Sequence, residues 1–141
     1  MSHDTCLFCG IVSGSIEAMI VNQDENSLTF LDHRPLFHGH CLLIPKQHFE
    51  TLSDLPSASV GPLFQKAQQV SRAVEAAMGA AGTFVAMNNR VSQSVPHLHI
   101  HIVPRKKKDG LKGFFWPRTK YKEQAEMVEV AKRIAEKLEQ D

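Results

Sequence analysis

Three histidines alternate with aliphatic residues in the segment Pro96–Pro104, which reads PHLHIHIVP. In a β-strand successive side chains point to opposite faces, so His97, His99 and His101 would share one face while the residues between them enter a core. The rise per residue would place successive histidines about 6.6 Å apart. Such a strict alternation is not typical of incidental surface histidines. It predicts a site whose chemistry depends on imidazole.

Two chemistries fit a row of histidines on one strand. Imidazole is the commonest metal ligand in proteins, and several imidazoles together can hold a zinc ion. Alternatively, neutral imidazole is a nucleophile near pH 7, and its attack on phosphorus gives a phosphoramidate that water can cleave. Neighbouring imidazoles would then donate hydrogen bonds to the phosphoryl oxygens. The residues alone leave both chemistries open: a catalytic zinc site lacks an obvious further carboxylate or histidine to complete it, although His40 could serve.

The rest of the chain supplies the elements that would position this strand. Short apolar runs separated by turn-forming residues predict five strands, at Ala18–Val21, Ser27–Leu31, His40–Ile44, Thr83–Met87 and His97–Val103. An apolar stripe at helical spacing predicts a long helix that begins between Ser57 and Pro62 and ends near Gly79–Gly82. A second such pattern predicts a helix over about residues 121–139. Hairpins with one long inserted helix predict an α+β fold with an antiparallel sheet.

Composition narrows the class of protein. The 141 residues suit one domain, 43% of them are hydrophobic and 22% charged, and the net charge is +1. This charge creates no overall field that would attract nucleic acid or a membrane, and the basic run Arg105–Lys108 is interpreted as a solvated loop. We therefore expect a single domain over residues 1–141 that binds neither nucleic acid nor membranes.

Cysteine content and the N-terminal residues bear on the compartment. The three cysteines do not suggest a disulfide framework, which favours a reducing environment. Met1–Gly10 lacks the basic and apolar regions of a secretory signal, and no apolar run approaches the ~18 residues of a membrane span. The expected location is the cytoplasm.

The histidine strand and three other motifs together resemble the histidine-triad family. The motif that names the family alternates histidine with apolar residues, as His97–Val103 does. Phe30–Asp32 followed by Gly39–Lys46 is similar to an earlier family signature, in which Gly-His leads into a strand that ends in Ile-Pro-Lys. Gln93–Val95 is similar to its Gln-Ser-Val lead-in, and Cys6–Val12 resembles the N-terminal segment of many bacterial members. The resemblance implies the family's antiparallel sheet with helices, in a homodimer.

The resemblance also implies the catalytic residues. His99, the middle histidine of the motif, would be the nucleophile that becomes nucleotidylated. His101 would donate a hydrogen bond to the α-phosphate oxygens, and His40 would complete the cluster from an adjacent strand. Ser94 would donate to the departing amine or oxygen.

A further set of residues is implied to bind the nucleotide. Asp32 resembles the acidic residue that accepts from the ribose hydroxyls, although aspartate after a strand is also a common turn residue. Asn88 and Gln93 resemble residues on the phosphate side. Four apolar residues would enclose the base, although such a set is also typical of plain core: Phe8, Ile11, Phe30 and Leu31.

A second site is implied near the N-terminus. The Cys6-x-x-Cys9 spacing is weak evidence by itself, because redox motifs share it. Bacterial members with this motif resemble structural zinc proteins, and here His48 and His97 occupy the positions of the other two ligands. A closed structural zinc site needs four such ligands. The resemblance thus implies structural zinc, with His97 as a ligand rather than a catalyst, whereas Cys41 is expected to be a buried, inert thiol.

Two segments depart from the family pattern. Ser92 stands where glycine commonly precedes the glutamine. Glycine allows a close approach of the backbone, so this departure bears on the leaving-group contacts of Gln93 and Ser94. The aromatic segment Gly113–Arg118 is expected to pack at the dimer interface, because exposed aromatic clusters usually mark contacts.

The predicted function is hydrolysis that releases a purine nucleoside 5′-monophosphate from a phosphoramidate or a dinucleoside polyphosphate. A covalent nucleotidyl intermediate on His99 would carry the reaction, with no catalytic cofactor. Two alternatives remain open: a zinc-dependent hydrolase that uses His97, His99 and His101 as ligands, and a nucleotide- or partner-binding module with little turnover. The sequence indicates neither the physiological substrate nor the preferred base.

Overall fold

The computed structural model describes residues 3–111 and 118–140. The chain forms two compact units, residues 1–109 and 110–141. The first unit contains five strands: β1 (Ile20–Gln23), β2 (Ser27–Leu31), β3 (Cys41–Pro45), β4 (Gly82–Ala86) and β5 (Ile100–Arg105). It also contains two α-helices, α1 (Leu7–Ser13) and α2 (Ser57–Met78), and short 3₁₀ helices at His3–Thr5 and Leu52–Asp54. The second unit contains α3 (Gln124–Glu139), in which no residue is buried.

The sheet confirms the predicted α+β class. Its strand order is β1-β2-β3-β5-β4, and every neighbouring pair is antiparallel. The long helix α2 is inserted between β3 and β4, within the bounds that the apolar stripe predicted. No helix in residues 3–111 and 118–140 is long and apolar enough to cross a bilayer.

Helices cover both faces of the sheet, and the period of two in the strands decides which residue meets which helix. On one face Leu63, Ala67, Val70 and Val74 of α2 pack with Cys41, Leu43, Leu98, Ile100 and Ile102. On the other face Phe8, Cys9 and Ile11 of α1 pack with Leu28, Phe30, Leu42 and Ile44. The aliphatic residues between the histidines therefore lie in the core, as predicted. Cys41 is buried there, and burial raises the pKa of its thiol.

Two predictions about local structure were wrong. The histidine strand begins at Ile100 rather than at His97, because the backbone before it bonds elsewhere: His97 N–H donates to Val95 O at 2.8 Å, and Leu98 N–H donates to Phe49 O at 2.7 Å. Only His101 of the three histidines lies within β5. The first strand also runs later than predicted, at Ile20–Gln23.

Helix α1 was not predicted at all. Its seven residues are too few to show a helical period. Its first turn is capped by the Cys6 sulfur, which accepts a hydrogen bond from Cys9 N–H at 3.4 Å. Gly14 ends it in the left-handed region at φ 85°. The Cys6-x-x-Cys9 spacing is shared by metal and redox motifs, and it does not by itself indicate the helix that Cys6 caps.

Gly39 sets the backbone immediately before His40. Its φ is 97°, a conformation that side chains rarely adopt, and a Cβ at this position would lie 2.7 Å from Met78 Cγ. Both observations require glycine here.

The predicted aromatic segment Gly113–Arg118 falls mostly in residues 112–117, which lie outside the described residues, so its expected role at a dimer interface stays a prediction.

Candidate active site

A cavity of about 630 Å³ opens beside α1 and the ends of β2 and β5. Eight of the residues predicted to act in catalysis or nucleotide binding line it: Phe8, Ile11, Phe30, Leu31, Asp32, Ser94, His99 and His101. His40 lies behind His101 and contacts it. Chain segments that are far apart in sequence thus meet at one site.

The orientation of His99 is set by a backbone carbonyl. Its Nδ1–H donates to His97 O at 2.7 Å, which leaves the lone pair on Nε2. His99 is 3% exposed, and in the described part of the chain no fully buried side-chain nitrogen lacks a partner. Since no described group bonds to Nε2, that atom is open to the cavity. A neutral imidazole in this tautomer is a nucleophile aimed at whatever occupies the cavity.

His101 receives its tautomer from a chain of two hydrogen bonds. Leu36 N–H donates to His40 Nδ1 at 3.1 Å, so the proton of neutral His40 is on Nε2. That Nε2–H lies 3.0 Å from His101 Nδ1 and donates to it. The proton of His101 is therefore on Nε2. His101 can donate a hydrogen bond into the cavity beside His99, whose ring centroid is 5.1 Å away.

Burial keeps these rings neutral. Desolvation, together with the nearby rings of His99 and His40, lowers the pKa of His101 to about 4. Desolvation also lowers the pKa of His99 and of His40, while the Asp32 carboxylate opposes the shift in both. At neutral pH all three imidazoles are uncharged, which preserves the lone pair that attack requires.

Asp32 serves two structural purposes. Its Oδ1 accepts a hydrogen bond from Arg34 N–H at 2.9 Å, the turn interaction that the sequence allowed. Its Oδ2 lies 3.6 Å from His40 Nε2, and the carboxylate lines the cavity. The turn interaction of Asp32 is therefore present, and its place on the cavity wall leaves the predicted ligand-binding role a prediction.

The apolar part of the cavity is built on Phe8. Its ring meets Phe30 edge-to-face at a centroid distance of 5.3 Å and His99 at 5.1 Å. The same ring also contacts His97 at 5.9 Å. Phe8, Phe30 and Ile11 are buried core residues that also present a surface to the cavity. A flat aromatic ligand could pack against this apolar, partly aromatic surface.

Three predicted residues do not line the cavity: His40, which contacts His101, and the loop residues Asn88 and Gln93. The Asn88 side chain donates to Ser92 O at 3.1 Å. Gln93 accepts from Arg90 N–H at 2.8 Å and donates to Glu50 O at 2.7 Å, so its amide ties the loop together. Ser94 does line the cavity, next to this loop. Ser92, which replaces the expected glycine, adopts φ 59°, the region where glycine would be unstrained.

Cys6, Cys9, His48 and His97 form a second group, called here the thiol–histidine cluster. Their ligand atoms all lie within 4.8 Å of one another. His97 Nδ1 is 3.4 Å from Cys6 Sγ, 3.5 Å from Cys9 Sγ and 3.2 Å from His48 Nδ1. His97 Nε2–H donates to Pro45 O at 2.8 Å, so Nδ1 carries the lone pair that faces the thiols. Two thiols and two imidazoles are the donor set that zinc prefers, and these residues fit it.

Burial favours the neutral form of the Cys9 thiol. Desolvation and the adjacent Cys6 sulfur raise the pKa of this thiol to about 11. A divalent cation would replace the thiol proton and offset the cost of burying a thiolate.

The alternative of a catalytic zinc held by His97, His99 and His101 finds no support. In residues 3–111 and 118–140 these three side chains do not form a candidate ligand group. His97 faces the thiols, and His99 Nδ1 is engaged by a carbonyl. A different group, Asp32, His40 and His101, is compact enough for a metal. There the Leu36 amide keeps the proton of His40 on the nitrogen that would have to bind the metal, which disfavours metal binding.

Comparisons with known proteins find chains of similar sequence. A family model described as the HIT domain matches residues 13–108. An adenylylsulfatase of Arabidopsis thaliana is 38% identical over 111 residues, which are 77% of this chain and 56% of that protein. An adenosine 5′-monophosphoramidase of Schizosaccharomyces pombe is 34% identical over 115 residues, 80% of this chain and 84% of that protein.

A solved structure extends the comparison to the fold. A zinc-bound histidine triad family protein from Mycobacterium smegmatis superposes with a TM-score of 0.74 at 36% identity. The match covers 89% of this chain and 91% of that chain. Its bound zinc and the thiol–histidine cluster described here are compatible with a structural zinc site in this chain.

Proposed function

The chain belongs to the HIT-domain family of nucleotide-processing enzymes, and from that premise we propose that it is a hydrolase that forms a covalent nucleotidyl intermediate on His99. One observation carries the proposal. The His97 carbonyl fixes the proton of His99 on Nδ1 and leaves Nε2 as a lone pair open to the cavity. The names of the two relatives favour a phosphoramidate or another activated nucleoside 5′-monophosphate as substrate; a dinucleoside polyphosphate belongs to the same class.

The reaction proceeds in two displacements at phosphorus. His99 Nε2 attacks the α-phosphorus, a nitrogen–phosphorus bond forms, and the bond to the leaving group breaks. His101 Nε2–H donates to a phosphoryl oxygen as charge develops there, and the Ser94 hydroxyl donates to the departing amine or oxygen. Water then attacks phosphorus, the nucleoside 5′-monophosphate leaves, and neutral His99 is regenerated. Imidazole is a good leaving group, which favours the second displacement.

The substrate is held at two ends of the cavity. Asp32 Oδ2 accepts from the ribose hydroxyls, and the base lies against Phe8, Ile11, Phe30 and Leu31. In the proposed complex Asn88 and Gln93 support the phosphate side indirectly, because the Asn88 amide is engaged within the loop and the Gln93 amide joins the loop to Glu50.

A structural zinc ion forms part of the proposal. Cys6, Cys9, His48 and His97 would hold it, and four protein ligands would leave no open position for chemistry. Its contribution is to fasten α1 to the segment before β5. The reaction itself requires no cofactor. The homodimer that the resemblance implies is also proposed, and sedimentation of the full chain tests it.

The experiment that tests this function measures AMP release from adenosine 5′-phosphoramidate. The wild type is compared with His99→Ala and with His38→Ala, a matched control at an exposed histidine. We expect His99→Ala to lose on the order of 10⁴-fold or more in kcat, while His38→Ala keeps wild-type turnover. Wild-type protein quenched in alkaline denaturant, where a nitrogen–phosphorus bond survives, should carry a nucleotidyl group by intact mass, and His99→Ala should carry none. Equal release by wild type and His99→Ala would overturn the proposal.

A further inference from the structure

Two carboxylates line the cavity that holds His99: Asp32 and Glu17. The proposed reaction uses Asp32 and leaves Glu17 without a task. Glu17 is exposed, and within residues 3–111 and 118–140 it forms no ion pair. Glu17 is thus a carboxylate on the rim of a mainly apolar cavity, and no ion pair in the described part of the chain engages it.

The backbone around Glu17 fixes where this carboxylate lies. Ile16 N–H donates to Gly10 O at 3.1 Å, which brings the segment back onto α1. The Ile16 side chain packs so closely on Gly10 that a Cβ there would lie 2.5 Å from Ile16 Cδ1. Three residues after Ile16, Met19 O accepts from Leu31 N–H at 2.9 Å, beside the end of β2. Glu17 therefore lies between the two walls that enclose the apolar part of the cavity.

This position, which rests on the proposed function, is where the edge of a base would emerge. The ring faces of a base would lie against Phe8 and Ile11 on one side and the end of β2 on the other. The polar edge would point to the rim, since an apolar wall offers it no hydrogen bonds. A carboxylate has two oxygens that only accept. It is satisfied by a base that presents two adjacent donors.

Guanine meets that requirement through its N1–H and its 2-amino group. Adenine presents its 6-amino donor next to the N1 lone pair, and cytosine presents a donor next to the N3 lone pair, so one carboxylate oxygen would face a lone pair. Uracil presents one N–H between two carbonyl oxygens. We infer that Glu17 is a base-reading residue that makes this site prefer guanosine over adenosine nucleotides. Specificity arises because the wrong base leaves a charged acceptor opposite another acceptor.

The test measures the affinities of GMP and AMP by calorimetry for the wild type, Glu17→Gln and Glu25→Gln. Glu25 is an exposed acid in the β1–β2 turn and serves as the matched control. We expect the wild type to bind GMP about tenfold more tightly than AMP, as one bidentate contact predicts. A glutamine offers one donor and one acceptor, which match the N1 and 6-amino groups of adenine. Glu17→Gln should therefore abolish or reverse the ratio, while Glu25→Gln keeps it.

Each outcome decides between the two proposals. If the wild type binds GMP and AMP equally, or if Glu17→Gln leaves the ratio unchanged, the role of Glu17 is wrong and the proposed hydrolase stands. If neither nucleotide binds the folded wild type, the proposed function falls together with the base preference.

Discussion

The thiol–histidine cluster and the catalytic cluster both contain histidines, but one presents an imidazole lone pair and the other an imidazole N–H. We use the second name for Asp32, His40, His99 and His101. In the thiol–histidine cluster, His97 Nε2–H donates a hydrogen bond to Pro45 O, which leaves the Nδ1 lone pair facing two thiols. In the second, an amide, Leu36 N–H, occupies His40 Nδ1 and forces the proton onto Nε2. At His97 a backbone acceptor thus leaves a lone pair facing the thiols, and at His40 a backbone donor leaves an N–H facing His101.

The two clusters meet at one residue. The His97 side chain belongs to the thiol–histidine cluster, and its carbonyl oxygen orients His99. The ring of Phe8 touches both His97 and His99. Within three consecutive residues, backbone carbonyls therefore set which ring nitrogen keeps its lone pair: Nδ1 in His97 and Nε2 in His99.

The largest effect is expected from His97→Ala, because it removes a group that both clusters share. His97 is fully buried, so the change leaves a cavity, an unpaired Pro45 carbonyl and an incomplete ligand set. We expect a loss of about 3 kcal/mol or more in the free energy of unfolding and well under one zinc per chain. Urea denaturation and metal analysis measure both. Retention of one tightly bound zinc per chain would show that His97 is not a ligand.

The next effect separates the clusters. His101→Ala removes a proposed donor to the phosphoryl oxygens, and we expect kcat to fall by on the order of 10²-fold. His101 lies outside the thiol–histidine cluster, so zinc content should equal that of the wild type. Steady-state kinetics and metal analysis on the same preparation check this. A parallel loss of zinc would mean that the two clusters are not independent.

The pH dependence of kcat/KM tests whether the imidazoles of the catalytic cluster are neutral in the active protein. Because burial lowers the pKa of His99, kcat/KM should stay constant from neutral pH to below 6.5 and fall only as pH drops through that lowered pKa. The Asp32 carboxylate raises the pKa of His99, His40 and His101, so Asp32→Asn should move the acid limb to lower pH. Glu25→Gln is the control. A limb centred above pH 6.5, or one that moves up in Asp32→Asn, contradicts this electrostatic account.

The smallest effect is expected in the loop that precedes His97 and His99. Ser92 adopts φ 59°, and glycine relieves the strain of that conformation. Ser92→Gly should raise the free energy of unfolding by about 1 kcal/mol, because the relief is partly offset by the greater freedom of the unfolded chain. Ser53→Gly, at an exposed residue outside the left-handed region, should lower it. If both variants are destabilised, Ser92 is not strained.

Much of the fold followed from pattern alone. The apolar stripe of α2 extends over 22 residues, long enough for its period to be unambiguous, and the apolar runs of the strands are separated by turns. The histidine motif alone predicted His99 and His101 in the cavity, because its chemistry is unusual, whereas the other lining residues were predicted only through the resemblance. The ligand set of the thiol–histidine cluster required the resemblance, since His48 and His97 lie far from the cysteines in sequence.

The rest depended on groups that carry no sequence signal. Pro45 O lies 52 residues from His97, and Leu36 N–H is a backbone donor that every residue but proline possesses. These backbone groups decide the tautomers of His97 and His40, yet a residue's type does not reveal that its backbone group has this role. The internal partners of Asn88 and Gln93 were hidden for a related reason: an amide side chain bonds equally well to a loop or to a ligand.

Gly39 has a consequence for any attempt to redesign this protein. Gly39 directly precedes His40, and its backbone approaches Met78 at the end of α2 closely. Library methods that randomise only the cavity would treat both positions as scaffold. Yet a wider or narrower active site reached by moving His40 would first require a new C-terminal turn for α2. The practical boundary of the designable region therefore runs through the far side of the sheet.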